Sequence, residues 1–336
     1  MSFSTNVSFS SELSLESYFD KNTIQGDLPI NFTLTQSGLT IDEKGDIHPS
    51  KQELIVFSDV SFSTLLELGT NCYLSINALT AINTRNNQTS YRFNVSCDDF
   101  IKARKAIADF ALAHKIEAAL VIGAPQLHKP GLLVMDMDST TIKIECIDEI
   151  AKLAGVGEQV SAVTELAMQG ELDFAQSLHQ RVATLKNAPE TILADVAKNI
   201  PLMAGLENLI SELKKHNWRI AIASGGFTYF ADHLKEMLDL DDTFANILEI
   251  VDGKLTGKVL GGVVDAQVKA DSLNLLAEKY QITASQTVAM GDGANDLVMM
   301  SAASFGVAFH AKPIVLAQAD SSINQQGLDC LLHWLA

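Results

Sequence analysis

Four short polar clusters hold the residues whose types and spacing best suit chemistry. In chain order they are Asp136-Met137-Asp138-Ser139-Thr140, Ser224-Gly225-Gly226, Lys269, and Gly291-Asp292-Gly293-Ala294-Asn295-Asp296. Each cluster alone has an ordinary structural explanation, such as a helix cap, a turn or a solvated lysine. All four, however, are expected at the carboxyl ends of buried strands, where ligands gather in α/β sheets. We therefore expect them to form one site.

Four aspartates would share this site: Asp136, Asp138, Asp292 and Asp296. So many carboxylates can coexist only beside a cation, and an all-oxygen ligand set of this density favours Mg²⁺. Ser224, the backbone N–H groups of residues 224–226 and the Lys269 ammonium would supply the donors that a phosphoryl group needs. A carboxylate can accept that group as an aspartyl phosphate. The residues therefore predict a phosphoryl-transfer site.

The order of the clusters resembles the four motifs of the haloacid dehalogenase-like (HAD) phosphatases. The matching residues are Asp136-x-Asp138-x-Thr140, Ser224, Lys269 and Gly291-Asp292-Gly293-x-Asn295-Asp296, within a resemblance that covers residues 130–325. The resemblance implies that Asp136 is the nucleophile and that Asp138 is the general acid and base. It also implies Mg²⁺ held by the Asp136 carboxylate, the Asp138 carbonyl and Asp292. Asp296 would support the metal shell.

The same resemblance implies further substrate-binding residues. On the phosphate side they are Ser224, Gly225, Lys269 and Asn295, and Asn295 would also orient Lys269 or the Asp296 carboxylate. The Asp-x-Asp-Ser-Thr form, followed by Glu145-Cys146-Ile147-Asp148-Glu149, is similar to the family members that hydrolyse O-phosphoserine in the last step of serine biosynthesis. Their substrate contacts correspond here to Glu145, Met168, Phe174 and Arg181.

These cap residues make chemical sense for an amino-acid phosphate. Arg181 can bind a carboxylate with two hydrogen bonds, and Glu145 can accept from an ammonium group. Phe174 and Met168 can exclude water. Outside the motif context, the same residues would be read as the core and surface of a helical segment.

Two enzymatic hypotheses remain after this reading. The first is hydrolysis of O-phosphoserine to serine and phosphate; the alternative is a HAD phosphatase or phosphotransferase that acts on another small phosphomonoester. P-type ATPases share the Gly-Asp-Gly-x-Asn-Asp element, but they need membrane helices and a Lys-Thr-Gly-Thr motif. An inert amino-acid sensor would be expected to lack Asp136, Asp138 or Lys269, and all three are present.

The elements around the clusters predict a Rossmann-like α/β domain over residues 127–336. After a linker at Ala124–Gly131, apolar strands alternate with amphipathic helices, which is typical of a parallel sheet covered on both faces. The predicted strands are 132–135, 218–223, 287–290 and 304–308, and the predicted helices are 206–215, 227–238, 267–280 and 295–302. A helical cap is expected at about 143–200, and Asp252-Gly253 predicts a hairpin.

The sequence pattern of residues 1–126 predicts a smaller α+β domain. Strand patterns at 54–57, 72–76, 91–95 and 116–122 and helix patterns at 61–68 and after Asp98-Asp99 give the order βαββαβ of a ferredoxin-like domain. That order resembles the ACT-type modules attached to amino-acid enzymes, which implies a regulatory role; packing or dimerisation is the alternative. Residues 1–50 show no sustained periodicity beyond a strand near 29–35.

Composition limits the partners of the chain. The 336 residues include 24 Lys and Arg against 41 Asp and Glu, a net charge of −17, which repels nucleic acid and anionic membranes. The longest apolar stretches are far shorter than the ~20 residues of a membrane helix. Four cysteines without C-x-x-C spacing suit a reducing cytosol. We expect a soluble cytoplasmic enzyme with a small-molecule substrate, and a homodimer is one option.

Overall fold

The computed structural model of the protein describes residues 4–7, 13–21, 28–35, 38–42, 50–57 and 59–336. The chain forms two compact units. The first contains residues 1–126 and 310–336, and the second contains residues 127–309. Residues 310–336, which the sequence patterns placed with the phosphatase domain, thus group with the N-terminal unit.

The elements up to residue 122 are β1 (Ser4–Val7), α1 (Leu15–Lys21), β2 (Ile30–Thr35), β3 (Gly38–Asp42), β4 (Gln52–Phe57), α2 (Phe62–Asn71), β5 (Ser75–Arg85), β6 (Gln88–Ser96), α3 (Phe100–His114) and β7 (Glu117–Ile122). The second unit contains β8 (Leu132–Met135), α4 (Cys146–Leu153), α5 (Gly157–Met168), α6 (Phe174–Thr184), α7 (Thr191–Ala197), α8 (Leu206–Lys215), β9 (Arg219–Phe227), α9 (Thr228–Leu238), β10 (Asp242–Val251), β11 (Lys254–Leu260), α10 (Ala266–Lys279), β12 (Thr287–Gly291), α11 (Leu297–Ala302) and β13 (Phe305–Phe309). The C-terminal segment adds α12 (Pro313–Leu316), β14 (Ser321–Ile323) and α13 (Leu331–Trp334).

The first unit is built on an antiparallel sheet in the order β1-β3-β2-β5-β6-β4-β7. Strands β4 to β7 with α2 and α3 form the predicted βαββαβ arrangement, and the apolar faces of both helices pack on this sheet. Strands β1 to β3 extend the sheet beyond β5. The strand predicted at residues 72–76 is wrong in position: α2 ends at Asn71, Tyr73 has a φ of +61°, and β5 begins only at Ser75.

Two buried charged groups attach the C-terminal segment to this first unit. The guanidinium of Arg92 donates to the carbonyl oxygens of residues 333–335. The Glu117 carboxylate accepts from the backbone N–H groups of residues 324–326. Because these contacts are made mainly with backbone atoms, no side-chain pattern in residues 310–336 predicts them.

The second unit, which the structure describes in full, contributes six strands to a sheet, in the order β11-β10-β9-β8-β12-β13. Its five strands from β10 to β13 in this order are parallel, and β11 pairs antiparallel with β10. Strands β8, β12 and β13 are buried throughout. Buried strands of this kind need helices on both faces, and the sequence alternates accordingly. The predicted Rossmann-like core is present.

The cap is also present as a helical insertion. Helices α4 to α7 lie between β8 and α8, and an isolated antiparallel bridge between Ile142 and Leu202 closes the base of the insertion. The hairpin of β10 and β11 turns at Asp252 and Gly253, both with positive φ, as a type I′ turn requires. In the described part of the chain, no helix combines the length and apolar character needed to cross a membrane.

Candidate active site

Asp136 directly follows β8, so the strand places its carboxylate at the carboxyl edge of the sheet. Two donors converge on its Oδ1: the Lys269 ammonium at 2.9 Å and the Met137 N–H at 2.7 Å. Its backbone is held as well, because the Asp136 N–H donates to the Met290 carbonyl on β12 and the Thr141 hydroxyl donates to the Asp136 carbonyl at 2.6 Å. The side chain is buried and fixed in direction.

Lys269 lies in the first turns of α10 and is completely buried. Its Nζ is 2.9 Å from Asp136 Oδ1 and 2.7 Å from Asp296 Oδ1. Burial alone would lower the pKa of Lys269, but the two carboxylates outweigh it and the pKa is raised. The side chain is therefore a permanent cation. The sequence patterns place this residue in a predicted helix over 267–280, and the structure confirms that helix as α10.

Asp292 and Asp296 follow β12 and complete a carboxylate cluster with Asp136. One oxygen of each of the three lies within 4.8 Å of the others. Asp296 also accepts from the Gly293 N–H at 3.0 Å and packs so closely on Gly291 that a Cβ there would lie 2.3 Å from it. Burial raises the pKa of Asp296, and the Asp136 charge adds to this effect while Lys269 opposes it.

This cluster fits a hard divalent cation. Three carboxylates face one another with one ammonium beside them, so negative charge exceeds positive charge inside a largely buried site. An all-oxygen donor set is what Mg²⁺ takes in proteins. The Thr140 hydroxyl, 3.4 Å from Asp292 Oδ1, adds another oxygen at the same place.

Asp138 lies two residues beyond the nucleophile candidate, and its Oδ1 accepts from the Cys146 N–H at 3.2 Å. Burial, followed by the charges of Glu145 and Asp136, raises the pKa of Asp138 to about 8. A carboxyl group in these surroundings holds a proton near neutral pH. It can therefore donate that proton to a leaving group, as a general acid must.

The sequence patterns place Ser224, Gly225 and Gly226 after a strand. In the structure these residues instead belong to the last part of β9. Ser224 is buried, and its Oγ accepts from the Gly226 N–H at 2.9 Å. Glycine is required here for space, because a Cβ on Gly226 would lie 2.9 Å from Asp138 Oδ2. The end of β9 thus lies directly against the Asp138 side chain.

Two of the four cap residues contact the site. A Cβ on Gly225 would lie 2.5 Å from the Phe174 ring, so the first residue of α6 touches the end of β9. Glu145 is exposed as a residue, but its carboxyl group lies among the site residues and accepts from the Ser139 hydroxyl at 2.8 Å. Burial of the carboxyl raises the pKa of Glu145, and the hydrogen bond from Ser139 opposes that rise.

The other two cap residues have different environments. The Nε of Arg181 is buried without a hydrogen-bond partner, and its positive charge partly offsets the rise that burial causes in the pKa of Asp148. Met168 ends α5 with a side chain that is 75% exposed, so it is not packed into the site.

Four more residues support the site, and sequence reasoning assigned a role to only one of them, Asn295. Ser139 has a φ of +57°, which turns the chain between Asp138 and the cap. Asn295, a predicted substrate contact, lies over Gly293, where a Cβ would be 2.2 Å from its Oδ1. Thr141 and Asn246 hold backbone carbonyls of the site. A serine, a threonine and an asparagine at such places carry no signal in one sequence.

Comparison with known proteins gives a consistent result. Residues 131–304 match the haloacid dehalogenase-like hydrolase family. A phosphoserine phosphatase of Haemophilus influenzae is 58% identical over 238 residues, which is 71% of this chain and 74% of that protein. A phosphoserine phosphatase of Vibrio cholerae is 60% identical over 216 residues, which is 64% of this chain and 66% of that protein, just under two thirds of its length.

A solved structure is similar as well. The unliganded crystal structure of a probable phosphoserine phosphatase from Vibrio cholerae superimposes with a TM-score of 0.72 at 47% identity, and covers 84% of this chain and 86% of that one. The motif residues of the family lie together in this structure at the carboxyl edge of the second sheet. The chain belongs to the haloacid dehalogenase-like hydrolases.

Proposed function

We propose that this protein is a Mg²⁺-dependent phosphatase that hydrolyses O-phosphoserine to serine and phosphate. The observation that carries the reaction type is the Asp136 carboxylate, fixed by Lys269 and the Met137 N–H within a cluster of carboxylates. The substrate is supported by the relatives named phosphoserine phosphatase and by Glu145 and Arg181 in the cap.

The first half of the reaction uses Asp136 as the nucleophile. Its carboxylate oxygen forms a bond to phosphorus while the bond from phosphorus to the serine oxygen breaks. Asp138 gives its proton to the departing oxygen, so serine leaves as a neutral alcohol. The Ser224 hydroxyl and the Lys269 ammonium bind the phosphoryl oxygens and hold the group in line with Asp136.

The second half removes the phosphoryl group from Asp136. Asp138, now ionised, takes a proton from a water molecule that attacks phosphorus. The bond between phosphorus and the Asp136 oxygen breaks, and phosphate leaves. One carboxyl group thus returns to its starting protonation state in each cycle, as an acid and base in turn must.

The carboxylate cluster would hold the metal ion. We assign the Asp136 carboxylate, the Asp138 carbonyl and Asp292 as ligands, with Asp296 supporting them from behind. Bound Mg²⁺ supplies positive charge that offsets the phosphoryl oxygens and the carboxylates around them.

The substrate's amino-acid part would bind in the cap. Arg181 takes the carboxylate and Glu145 the ammonium group, while Phe174 and Met168 exclude water. Ser224, Gly225, Lys269 and Asn295 complete the substrate contacts on the phosphate side. Since Met168 is largely exposed here, this role requires the end of α5 to approach the substrate.

The experiment is phosphate release from a panel of phosphomonoesters, with EDTA and with added Mg²⁺. We expect the highest kcat/KM on O-phosphoserine, no activity in EDTA and recovery with Mg²⁺. Preference for a phosphomonoester without an amino-acid group, or transfer to an acceptor other than water, would favour the alternative reading of the same site.

Arg181→Ala tests the substrate assignment. Loss of one partner of a charge-assisted contact costs roughly 2–5 kcal/mol, or about 30- to several thousand-fold in kcat/KM. That loss should appear on O-phosphoserine and not on an aryl phosphate, which has no carboxylate. Lys198→Ala, which removes one exposed positive charge from the same cap, should change neither. Equal losses on both substrates would assign Arg181 to the fold or the phosphate.

For the first unit we propose a regulatory or dimerising role, because its βαββαβ core forms a compact unit of its own. We also propose a cytoplasmic location, since all four cysteines are unpaired thiols, three of them buried.

A further inference from the structure

Asn246 is a buried amide on β10, outside all four motif clusters. Its side chain is 2% exposed and makes two hydrogen bonds within the second unit. Oδ1 accepts from the Val264 N–H at 2.9 Å, and Nδ2 donates to the Gly225 carbonyl at 2.8 Å. Because one partner can only donate and the other can only accept, the orientation of this amide is fixed.

The bond from Asn246 reaches a peptide group that is held on both sides. The Gly225 carbonyl accepts from Asn246, and the N–H of the same peptide group, on Gly226, donates to Ser224 Oγ at 2.9 Å. The Ser224 oxygen is therefore an acceptor in this bond. Its own hydrogen is left to donate elsewhere, and the direction of that hydrogen depends on the peptide group.

There is little room for this peptide group to turn. A Cβ on Gly225 would lie 2.5 Å from Phe174 Cζ, and one on Gly226 would lie 2.6 Å from Met137 Cε. Gly225 therefore packs against the cap, and Gly226 packs against the segment that follows β8. A rotation of the peptide group would move the Ser224 hydroxyl and disturb both neighbours.

The other end of the Asn246 amide leads to the helix that carries the second phosphate donor. Val264 directly precedes Asp265, whose side chain accepts from the Val268 N–H at 2.9 Å and so caps α10. Lys269 follows in the second turn of that helix. One buried amide thus joins the segment that presents Ser224 to the segment that begins the Lys269 helix.

We infer that Asn246 is a positioning residue for phosphoryl transfer: it orients the Gly225–Gly226 peptide group and, through it, the Ser224 hydroxyl. The inference rests on the proposed function, in which Ser224 donates to the phosphoryl group. Asn246 does not touch the substrate in this scheme. Without Asn246 the buried Gly225 carbonyl would lose its donor, and the peptide group would rotate towards another partner.

The test is a double-mutant cycle of Asn246→Ala and Ser224→Ala on the phosphomonoester that the wild type hydrolyses fastest. Asn246→Ala alone should lower kcat/KM roughly 10- to 100-fold, up to the loss that follows removal of one oriented donor. In the Ser224→Ala background the same substitution should change kcat/KM less than about twofold, because the group it orients is gone. Effects that multiply would overturn the inference.

Two further variants separate positioning from stability. Thr243→Val removes the hydrogen bond from β10 to Asp232 (2.6 Å) and should leave kcat/KM unchanged. If Asn246→Ala does not fold, Asn246→Leu fills a similar volume without either hydrogen bond and carries the same cycle. Failure of the wild type on O-phosphoserine, with activity on another phosphomonoester, would overturn the proposed substrate but not this inference.

Discussion

Lys269 is shared by two carboxylates whose roles differ. Its ammonium bonds to Asp136, the proposed nucleophile, and to Asp296, which is completely buried and also accepts from the Gly293 N–H. A buried carboxylate without a partner is costly, so this ammonium stabilises the site before any ligand binds.

Asp136→Asn should abolish turnover with little change in structure. The amide keeps the size of the carboxylate but is a very poor nucleophile, so kcat should fall roughly 10³-fold or more. Chemical trapping supplies the direct measurement: an acid-labile, hydroxylamine-sensitive phosphate should form on the wild type during turnover and not on the variant. Appreciable activity in the Asn variant would exclude the covalent route.

Ser139 combines backbone strain with a hydrogen bond to the cap. Its φ of +57° suits glycine better than other residues, and its hydroxyl donates to Glu145. Ser139→Gly should therefore be more stable than Ser139→Ala by about 1 kcal/mol. Both variants lose the hydroxyl, so both should raise the KM for O-phosphoserine to the same extent, roughly 3- to 10-fold.

Thermal unfolding and steady-state kinetics measure these two effects separately. An aryl phosphate serves as the control substrate, since it has no ammonium group for Glu145 to bind, and its KM should not change. A stability order with Ala above Gly would show that the positive φ stores no strain.

At the scale of elements, α6 depends on the capping box at its N-terminus. The Asp173 carboxylate accepts from the Gln176 N–H at 2.8 Å, and the Gln176 side chain accepts from the Asp173 N–H at 3.1 Å. The helix begins at Phe174 and contains Arg181. The capping box therefore fixes the start of α6, the helix that carries two of the predicted substrate contacts.

Asp173→Ala should destabilise the protein by about 1 kcal/mol, the usual cost of losing an N-cap. It should also raise the KM for O-phosphoserine more than it lowers kcat, because the nucleophile and Lys269 lie on other elements. Glu171→Ala, two residues earlier on the exposed turn, is the matched control for both measurements. An unchanged melting temperature of the Asp173→Ala variant would mean that α6 does not need this capping box.

The sequence predicts these elements well where burial imposes a pattern. Strands β8 and β12 are fully buried runs of apolar residues, and such runs between amphipathic helices have few other readings. The motif aspartates follow these strands, so their meeting at one edge could also be predicted. In β2 the apolar residues Ile30, Phe32 and Leu34 alternate with polar ones, and a strand near 29–35 could be predicted. Strands β1 and β3 contain only four and five residues, which is too short for a clear period.

Contacts between distant segments could not be predicted. Asn246 lies where the register of β10 against β9 shifts, and from there it bonds to Gly225 and to Val264. Arg92 reaches the carbonyl oxygens of residues 333–335 across more than 240 positions of sequence. Neither contact depends on a local periodicity, so neither can be predicted from a single sequence.

At the scale of the whole molecule, His333 makes the first unit sensitive to acid. The ring packs against Phe57 at 4.6 Å, and its Nδ1 lies 2.9 Å from Ser90 Oγ. Burial lowers the pKa of His333 to about 4, and the charges of Arg85 and Arg92 add to this effect. The histidine is therefore neutral in the folded protein at pH values where the unfolded chain would bind a proton.

The sign of the pH dependence follows from that difference. The stabilisation is complete above about pH 7 and is lost as the pH falls from the unfolded pKa near 6.5 towards 4. Between pH 7 and pH 5 the loss should be about 2 kcal/mol. Urea unfolding at the two pH values measures it, and His333→Asn, which cannot titrate in this range, should show a smaller difference. Equal pH dependence in both proteins would contradict the assignment.

The placement of residues 310–336 in the first unit also orders events on the ribosome. The N-terminal sheet emerges first, yet His333 and Trp334, which pack against Phe57, are synthesised only after the whole second unit. In nascent chains arrested before residue 310 has left the exit tunnel, residues 127–309 should resist protease to a greater extent than residues 1–126. The part of the protein that is made first is completed last.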